Sequence, residues 1–477
     1  MRFKTMLPRK WIMAWAGAFL LAGLANGAKL PDESCDVVIV GGGTAGVAAA
    51  LQSALGGART ILVEQGFQVG GTMTSGGVNF PGLFHAWGRQ VIDGVGYALV
   101  TNCVALSGGS LPDFKEPTGA AHWKHQIPIS IPLYVALAEE SLVKSGVVIH
   151  YHAAPMSVVR TNDCWQLDVV AVGDTRRIAA RQVVDCTGNA GVVALAGFAR
   201  EGSESPQPGT FVYKLDPGTS VDLLDYALLK REYGRALAEG RIRKNDSRWG
   251  VVNFLRCKGN TANYVEGADN STADLRTMTN LRGRAAMLRM YRFLRGVPGL
   301  ENASIVSMSA EVGVRETYRI VGEYRITEDD YRSGRVFPDS LCYAFYPVDM
   351  HDKSSGVHPS HLAEGIVPTV PLRALVPKGG RDILVAGRCV SSDRGANSGL
   401  RVEAACMAMG QVAGAAAALA ARRNASPLDL PIYELRESLA SSGAIVPNMR
   451  IAERATKDSG HCGSVSVFTN NKKGTSK

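Results

Sequence analysis

Asp36-Val-Val-Ile-Val40-Gly41-Gly42-Gly43-Thr44-Ala45-Gly46 is the stretch that decides the fold. Its first five residues are a short β-branched run after Asp36, the pattern of a strand buried on both faces. Gly41, Gly43 and Gly46 then satisfy G-x-G-x-x-G, with Thr44 and Ala45 inside the turn. The first glycine serves a tight turn, and the second lets backbone approach a pyrophosphate. The third lets the following helix lie close to the sheet. Gly46 to Leu55 has the alanine content of a helix, and Thr60-Ile-Leu-Val63 is the next strand, ending in Glu64. A βαβ unit of this kind places phosphates at the helix N-terminus, where free N–H groups and the helix dipole favour negative charge. Glu64 suits ribose hydroxyls and would repel a 2′-phosphate. The unit therefore reads as dinucleotide-binding.

Working outward, a second glycine loop follows at once: Gly70-Gly71-Thr72-Met73-Thr74-Ser75-Gly76-Gly77. Gly70, Gly71, Thr72 and Ser75 are expected to meet a ligand that continues past the pyrophosphate. Strand-like runs recur at Val147 to His150, Trp165 to Val172 and Gln182 to Asp185. Residues 205–340 differ, with helical stretches at Val221 to Glu239 and Leu275 to Leu294 and no nucleotide signal. Asp382-Ile-Leu-Val-Ala386 is a final strand, and Val402 to Arg422 a long alanine-rich helix. The end of such a helix suits the charge that develops on a reduced ring. No second G-x-G-x-x-G occurs, so a separate nicotinamide domain is not expected. The fold class is α/β: a Rossmann-like domain in two parts, residues 34–204 and 341–425, around an α+β substrate insertion at 205–340. Residues 1–27 read as a signal peptide and 426–477 as a C-terminal extension.

In patches over 36–79, 183–191, 311–330, 343–352 and 371–420, the chain resembles the FAD-dependent oxidoreductase family of the glutathione-reductase-like and fumarate-reductase-like flavoproteins. Val184-Asp-Cys-Thr-Gly188 looks like the family's strand ending in an A-T-G turn, with cysteine for alanine, which brings Gly188 near the cofactor. Gly387-Arg388 stands where many flavoproteins carry Gly-Asp or Gly-Glu against the ribityl chain. The resemblance implies FAD as cofactor and hydride exchange between flavin N5 and a small hydroxy, amino or keto compound. Electrons would pass on to oxygen, a quinone or a carrier protein. Two alternatives stay open: a lyase-like polysaccharide-degrading enzyme without net redox, and a non-catalytic FAD-binding protein.

Candidate reacting groups come from several segments. His85, in Phe84-His85-Ala86-Trp87-Gly88-Arg89, reads as a general base or a covalent attachment point for flavin. Asp349 and His351 alternate within Tyr346-Pro-Val-Asp349-Met-His351-Asp352, so an extended backbone puts both on one face. A carboxylate beside the imidazole would raise its basicity and fix its tautomer. Arg315, in Arg315-Glu316-Thr317-Tyr318-Arg319, suits a bidentate clamp on a substrate carboxylate. Arg373 and Arg401 flank the final strand and helix, and Arg401 is expected to approach the flavin N1–O2 edge. His122 with His125, and His150 with His152, have no recognisable third ligand, so no metal site is expected.

Composition agrees with a globular protein of 477 residues, 46% hydrophobic and 20% charged. Fifty-three glycines exceed the usual ~7% and cluster at turns rather than repeating periodically. The net charge of +9 comes without basic blocks interleaved with aromatics, which argues against a nucleic-acid partner. Arg2, Lys4, Arg9 and Lys10 precede the apolar run Trp11 to Leu24, and Ala25-Asn26-Gly27 supplies small residues for cleavage. Export to the periplasm or outside the cell is the expectation. Nine cysteines include no C-x-x-C, and Cys186, Cys389 and Cys406 lie in apolar segments, as small buried residues do.

Overall fold

The computed structural model describes residues 32–116, 121–161, 163–260, 263–352 and 356–447. The expected signal peptide and the lysine-rich tail past 455 lie outside the described residues. A parallel sheet forms the centre. β1 (Asp32–Val40) lies between β2 (Thr60–Val63) and β6 (Asp174–Asp185), parallel to both. Outside β2 runs β3 (Val148–His150), also parallel. β11 (Ile383–Val385) pairs in parallel with the C-terminal end of β6, 200 residues upstream at Ile383↔Val183. The first half of β6 instead belongs to an antiparallel meander with β4 (Ala153–Arg160) and β5 (Trp165–Ala171).

Strand residues alternate between two cores. Val37, Ile39, Leu62, Val184 and Leu384 face the helices, whereas Val38, Val40, Ile61, Val63, Val183 and Val385 face Trp165, Leu167 and Val169 of the meander. This is why the sequence reads as continuous apolar runs here: both faces of a parallel sheet are covered. Each such buried side chain contributes about 1.5–3 kcal/mol relative to exposure.

On the helical face, α1 (Thr44–Leu55) packs on α7 (Glu403–Arg423) almost backbone to backbone, with α2 (Val95–Leu106) and α3 (Ile131–Lys144) against α1. A Cβ added at Gly410 would stand 2.1 Å from the Ala45 carbonyl oxygen, and one at Gly414 2.2 Å from that of Ala49. Glycines one turn apart thus receive alanines one turn apart. Among the described helices, α7 alone is long and apolar enough to cross a membrane, and here it is wholly buried inside the protein. An all-round apolar helix is what a core position requires.

A third core, from Phe211 to Val314, belongs to the insertion. It gathers α4 (Tyr226–Ala238), α5 (Ala273–Arg295) and the antiparallel pair β7 (Tyr213–Asp216) and β8 (Ser304–Met308). Ile326 and Tyr331 leave it and pack in the helical-face core.

The structure differs locally from the sequence reading. The helix expected from Val221 starts at Tyr226, because the Asp225 side chain accepts from the amides of Ala227 and Leu228 and caps it there. β4 has no counterpart among the expected strands: it contains Pro155 and a register shift beside it, both permitted at a sheet edge. β1 and β6 are longer than the apolar pattern indicates, since Asp32 to Cys35 pairs with Arg177 to Ala180. Before α7 lies a short helix, α6 (Arg394–Leu400), capped by Asp393 through the Ala396 amide. The eight described cysteines are all unpaired, and Cys186, Cys389 and Cys406 are buried.

Candidate active site

One cleft of about 1190 Å³ begins at the β1–α1 turn and ends between the insertion and the first residues of α7. The turn is built by exclusion of side chains. Gly41 has φ +99°, and a Cβ there would lie 2.5 Å from the Cys186 carbonyl oxygen. A Cβ at Gly46 would lie 1.8 Å from the Gly41 carbonyl oxygen. At Gly43, by contrast, nothing stands within 4 Å of an added Cβ, because this glycine faces the cleft. It is also the N-cap of α1 and supplies no side-chain cap, so the helix end is open to a ligand.

Glu64 sits beside it. Its Oε2 accepts from the Gly42 amide at 2.5 Å and its Oε1 from the Gly66 amide at 2.6 Å. Burial raises its pKa against these two amides, which lower it. Gly41, Gly43, Thr44, Ala45, Glu64, Gly71, Thr72, Ser75, Gly188, Gly387, Arg388 and Arg401 all line the cleft. Gly46 and Gly70 do not: Gly46 serves helix packing, and the Gly70 amide donates to the Gly42 carbonyl at 2.8 Å. Gly71 stacks on Gly43, with its added Cβ 3.0 Å from that Cα. Arg388 acts as a staple. Its guanidinium donates to the carbonyls of Gly188 (2.8 Å) and Val314 (2.9 Å) and to Asn189 and Asn270 Oδ1.

The far end of the cleft is made of side chains. β9 (Val348–Asp352), paired with β10 (Gly356–Ser360), carries Asp349 and His351 on one face, and His351 Nε2 is 2.8 Å from Asp349 Oδ2. Tyr264 Oη is 2.7 Å from His351 Nδ1. Asp349, an acceptor only, fixes the proton on Nε2, so Nδ1 accepts from the phenol. Arg401 donates to Asp349 Oδ2 at 3.1 Å and to its carbonyl at 3.2 Å. Arg315 donates to the Pro208 carbonyl and, at 3.1 Å, to Thr210 Oγ1. Burial, then Arg401, lowers Arg315 to about 9.

Asp349 raises the basicity of His351 as expected, but other groups outweigh it. Burial and the nearby Arg315 hold the imidazole down to about 3, outweighing Asp349. Asp349 itself is held well below the usual carboxylate range by His351 and Arg401, despite its burial. Both ring nitrogens of His351 are engaged, Nε2 by Asp349 and Nδ1 by Tyr264.

His85 and Arg373 are not brought to the cleft. The His85 ring stacks on Phe114, with centroids 3.6 Å apart, and burial and His125 lower it to about 4. The β-hairpin around it turns the ring into an aromatic cluster rather than toward the glycine loops. Arg373 is held bidentately by Asp339 at 3.0 and 3.2 Å, and lies over Tyr324.

Glu403 was not among the sequence candidates. It stands in the first turn of α7 and lines the cleft, and its side chain makes no hydrogen bond among the described residues. Burial raises its carboxyl to about 8, against the lowering effect of Arg401. Its only sequence signal is an acidic residue in an otherwise apolar helix start. Tyr264, Arg248 and Trp249 were missed as well, and nothing in their sequence surroundings marks them.

A glycine-lined turn, an open helix end, a ribose-type carboxylate and a cleft continuing under the last strand–helix pair define an FAD-binding enzyme. The chain belongs to the FAD dependent oxidoreductase family, which it matches over residues 36–439. FAD is its cofactor, and the residues fit it: the open space at Gly43 suits a diphosphate, and the Glu64 carboxylate beside it suits ribose hydroxyls. A search of curated proteins finds no significant sequence match. Among solved structures, the chain is similar to CabE, an aromatic hydroxylase from angucycline biosynthesis, at 19% identity and TM-score 0.26, covering 37% of this chain and 36% of that one. It is also similar to a geranylgeranyl bacteriochlorophyll reductase-like protein from Thermoplasma acidophilum, at 11% identity, TM-score 0.38 and 87% and 84% coverage. THI4 from Thermovibrio ammonificans matches at 20% identity, TM-score 0.25 and 40% and 70% coverage. The chain spans little more than a third of the aromatic hydroxylase, and likenesses this distant carry no argument about substrate.

Proposed function

We propose that the chain oxidises or reduces a small organic molecule by hydride transfer, at the end of the cleft where Arg315, Asp349, His351, Arg401 and Glu403 converge. The single observation behind this reading is that one continuous cleft joins these groups to the Gly43 turn. FAD, when bound, supplies the two-electron acceptor or donor at its N5. The protein's own share is positioning, charge and the proton. A C–H beside a hydroxyl or amine gives up a hydride and, from the heteroatom, a proton. Glu403, which lines this end of the cleft and whose carboxyl burial raises to about 8, exchanges that proton in this reading. His351 and Arg401 hold Asp349 in place as a fixed negative charge. The final electron acceptor is oxygen, a quinone or a carrier protein, reached after export from the cytoplasm.

The test is direct. Purified mature protein loaded with FAD is mixed anaerobically with hydroxy acids, amines and sugars while its visible absorbance is followed. Stoichiometric bleaching by one class supports hydride transfer. A flavin that stays oxidised while a sugar polymer is cleaved would instead establish the lyase-like reading, and an absence of bound flavin would end both.

A further inference from the structure

Among the described residues, Arg248 is a cation without a counter-ion. Among the described residues it makes no hydrogen bond and no ion pair, and its buried Nε has no partner. Its guanidinium carbon lies 4.0 Å from the Trp249 ring centre and 4.6 Å from that of Tyr264. Stacking of this kind uses the flat faces of guanidinium and leaves its edge, with its N–H donors, unspent. A half-buried cation with unspent donors facing a cleft is a ready partner for an anion. Burial accordingly lowers its pKa, while Tyr264 and Asp349 oppose that change.

The position is also firmly built. Arg248 follows the turn Lys244–Ser247, where the buried Asp246 accepts from the Arg243 amide and is held by Arg289 at 2.7 and 2.8 Å. Arg248 and Trp249 both line the cleft. Arg315 reaches the same Tyr264 ring at 5.6 Å and also has no carboxylate partner. Among the described residues, the carboxylate that acts on both Arg248 and Arg315 is Asp349, which Arg401 and His351 already occupy. The reacting end is short of negative charge.

We propose that Arg248, together with Arg315, binds the carboxylate of an organic-acid substrate whose carbon skeleton lies against Trp249. The proposal rests on the hydride-transfer reading for the word substrate, and on the unpaired guanidinium for the word carboxylate.

Calorimetry on the FAD-loaded protein tests it with oxalate, benzoate and gluconate, against benzamide and glucose as uncharged counterparts and inorganic phosphate as a simple anion. At least one carboxylate is expected to bind, its uncharged counterpart much more weakly. Arg248→Met is expected to weaken carboxylate binding at least tenfold, and Arg248→Lys less, with FAD content and melting temperature showing that both variants fold. Three results would overturn the proposal: no carboxylate binds, Arg248→Met binds as the parent does, or phosphate alone binds through Arg248. Because binding rather than turnover is read, the two ideas fail separately. Carboxylate binding in a protein that no compound reduces leaves the anion site standing. Reduction by an uncharged sugar without carboxylate binding removes the anion site and keeps the oxidoreductase.

Discussion

The two ends of the cleft are built from different materials. At the β1–α1 turn the chain presents backbone: Gly41, Gly43, Gly46 and Gly71 keep side chains away, and the open helix end supplies amides. At the other end it presents side chains from four separated segments, with Arg248, Arg315, the Asp349–His351 pair and the Arg401–Glu403 pair meeting around one space. The difference teaches what each end tolerates. A backbone cradle fails when one methyl group enters it, whereas a side-chain cluster degrades in steps that follow charge and protonation.

The sharpest break of the comparison lies at Gly46. Gly46→Ala would place a methyl 1.8 Å from the Gly41 carbonyl, so β1 and α1 must separate. Overpacking of this kind costs about 3 kcal/mol or more, and the protein should purify without FAD absorbance or not fold at all. Gly43→Ala, with open space around its Cβ, should fold normally and lose affinity for FAD alone; equal damage at both positions would erase the distinction drawn between packing glycine and facing glycine.

Next in size is Glu403→Gln, expected to keep FAD while slowing flavin reduction about 10²- to 10⁴-fold. Stability supplies an independent sign. An acid whose folded pKa is about 8, against 4.5 in the unfolded chain, costs stability as pH rises through that window. Glu403→Gln should therefore melt higher than the parent at pH 8 and no higher at pH 4. A melting difference of the opposite sign would mean that Glu403 is ionised in the folded protein.

His351 titrates in the reverse sense. Its folded pKa of about 3 lies below the ordinary 6.5, so the unfolded chain takes up the proton first. Stability should fall as pH drops from about 6.5 toward 3, and His351→Asn should flatten that fall in a pH series of melting curves. The smallest effects belong to Arg373 and His85, the two candidate reacting groups outside the cleft. Arg373→Ala breaks a half-exposed pair with Asp339 and should cost roughly 1 kcal/mol of stability. His85→Phe should preserve stacking on Phe114, and neither change should alter the rate of flavin reduction by as much as Glu403→Gln.

Much of the nucleotide end was legible because its determinants are local. A turn that must exclude Cβ atoms writes glycines into consecutive residues, and a strand covered on both faces writes an unbroken apolar run. Alternation likewise announced that Asp349 and His351 share a face. What alternation did not carry was the protonation state, since the nearness of Arg315 and the depth of burial come from other segments. His85 shows the same limit: its place after the second glycine loop suggested the cleft, but the stacking partner Phe114 decided where the ring points. The short helix capped by Asp393 and the late start at Tyr226 show that a single capping side chain moves an element boundary that composition alone blurs.

The sequence by itself determined that strand, glycine turn, helix and acidic strand end would form one compact unit, because each requirement acts between neighbours along the chain. Only the tertiary structure decided which charges share the far end of the cleft. Arg248, Tyr264, Arg315, His351 and Glu403 meet because the insertion's core and the α1–α7 contact bring distant backbones together. Electrostatic fate in a buried space depends on who else is there, and no stretch of sequence contains that list.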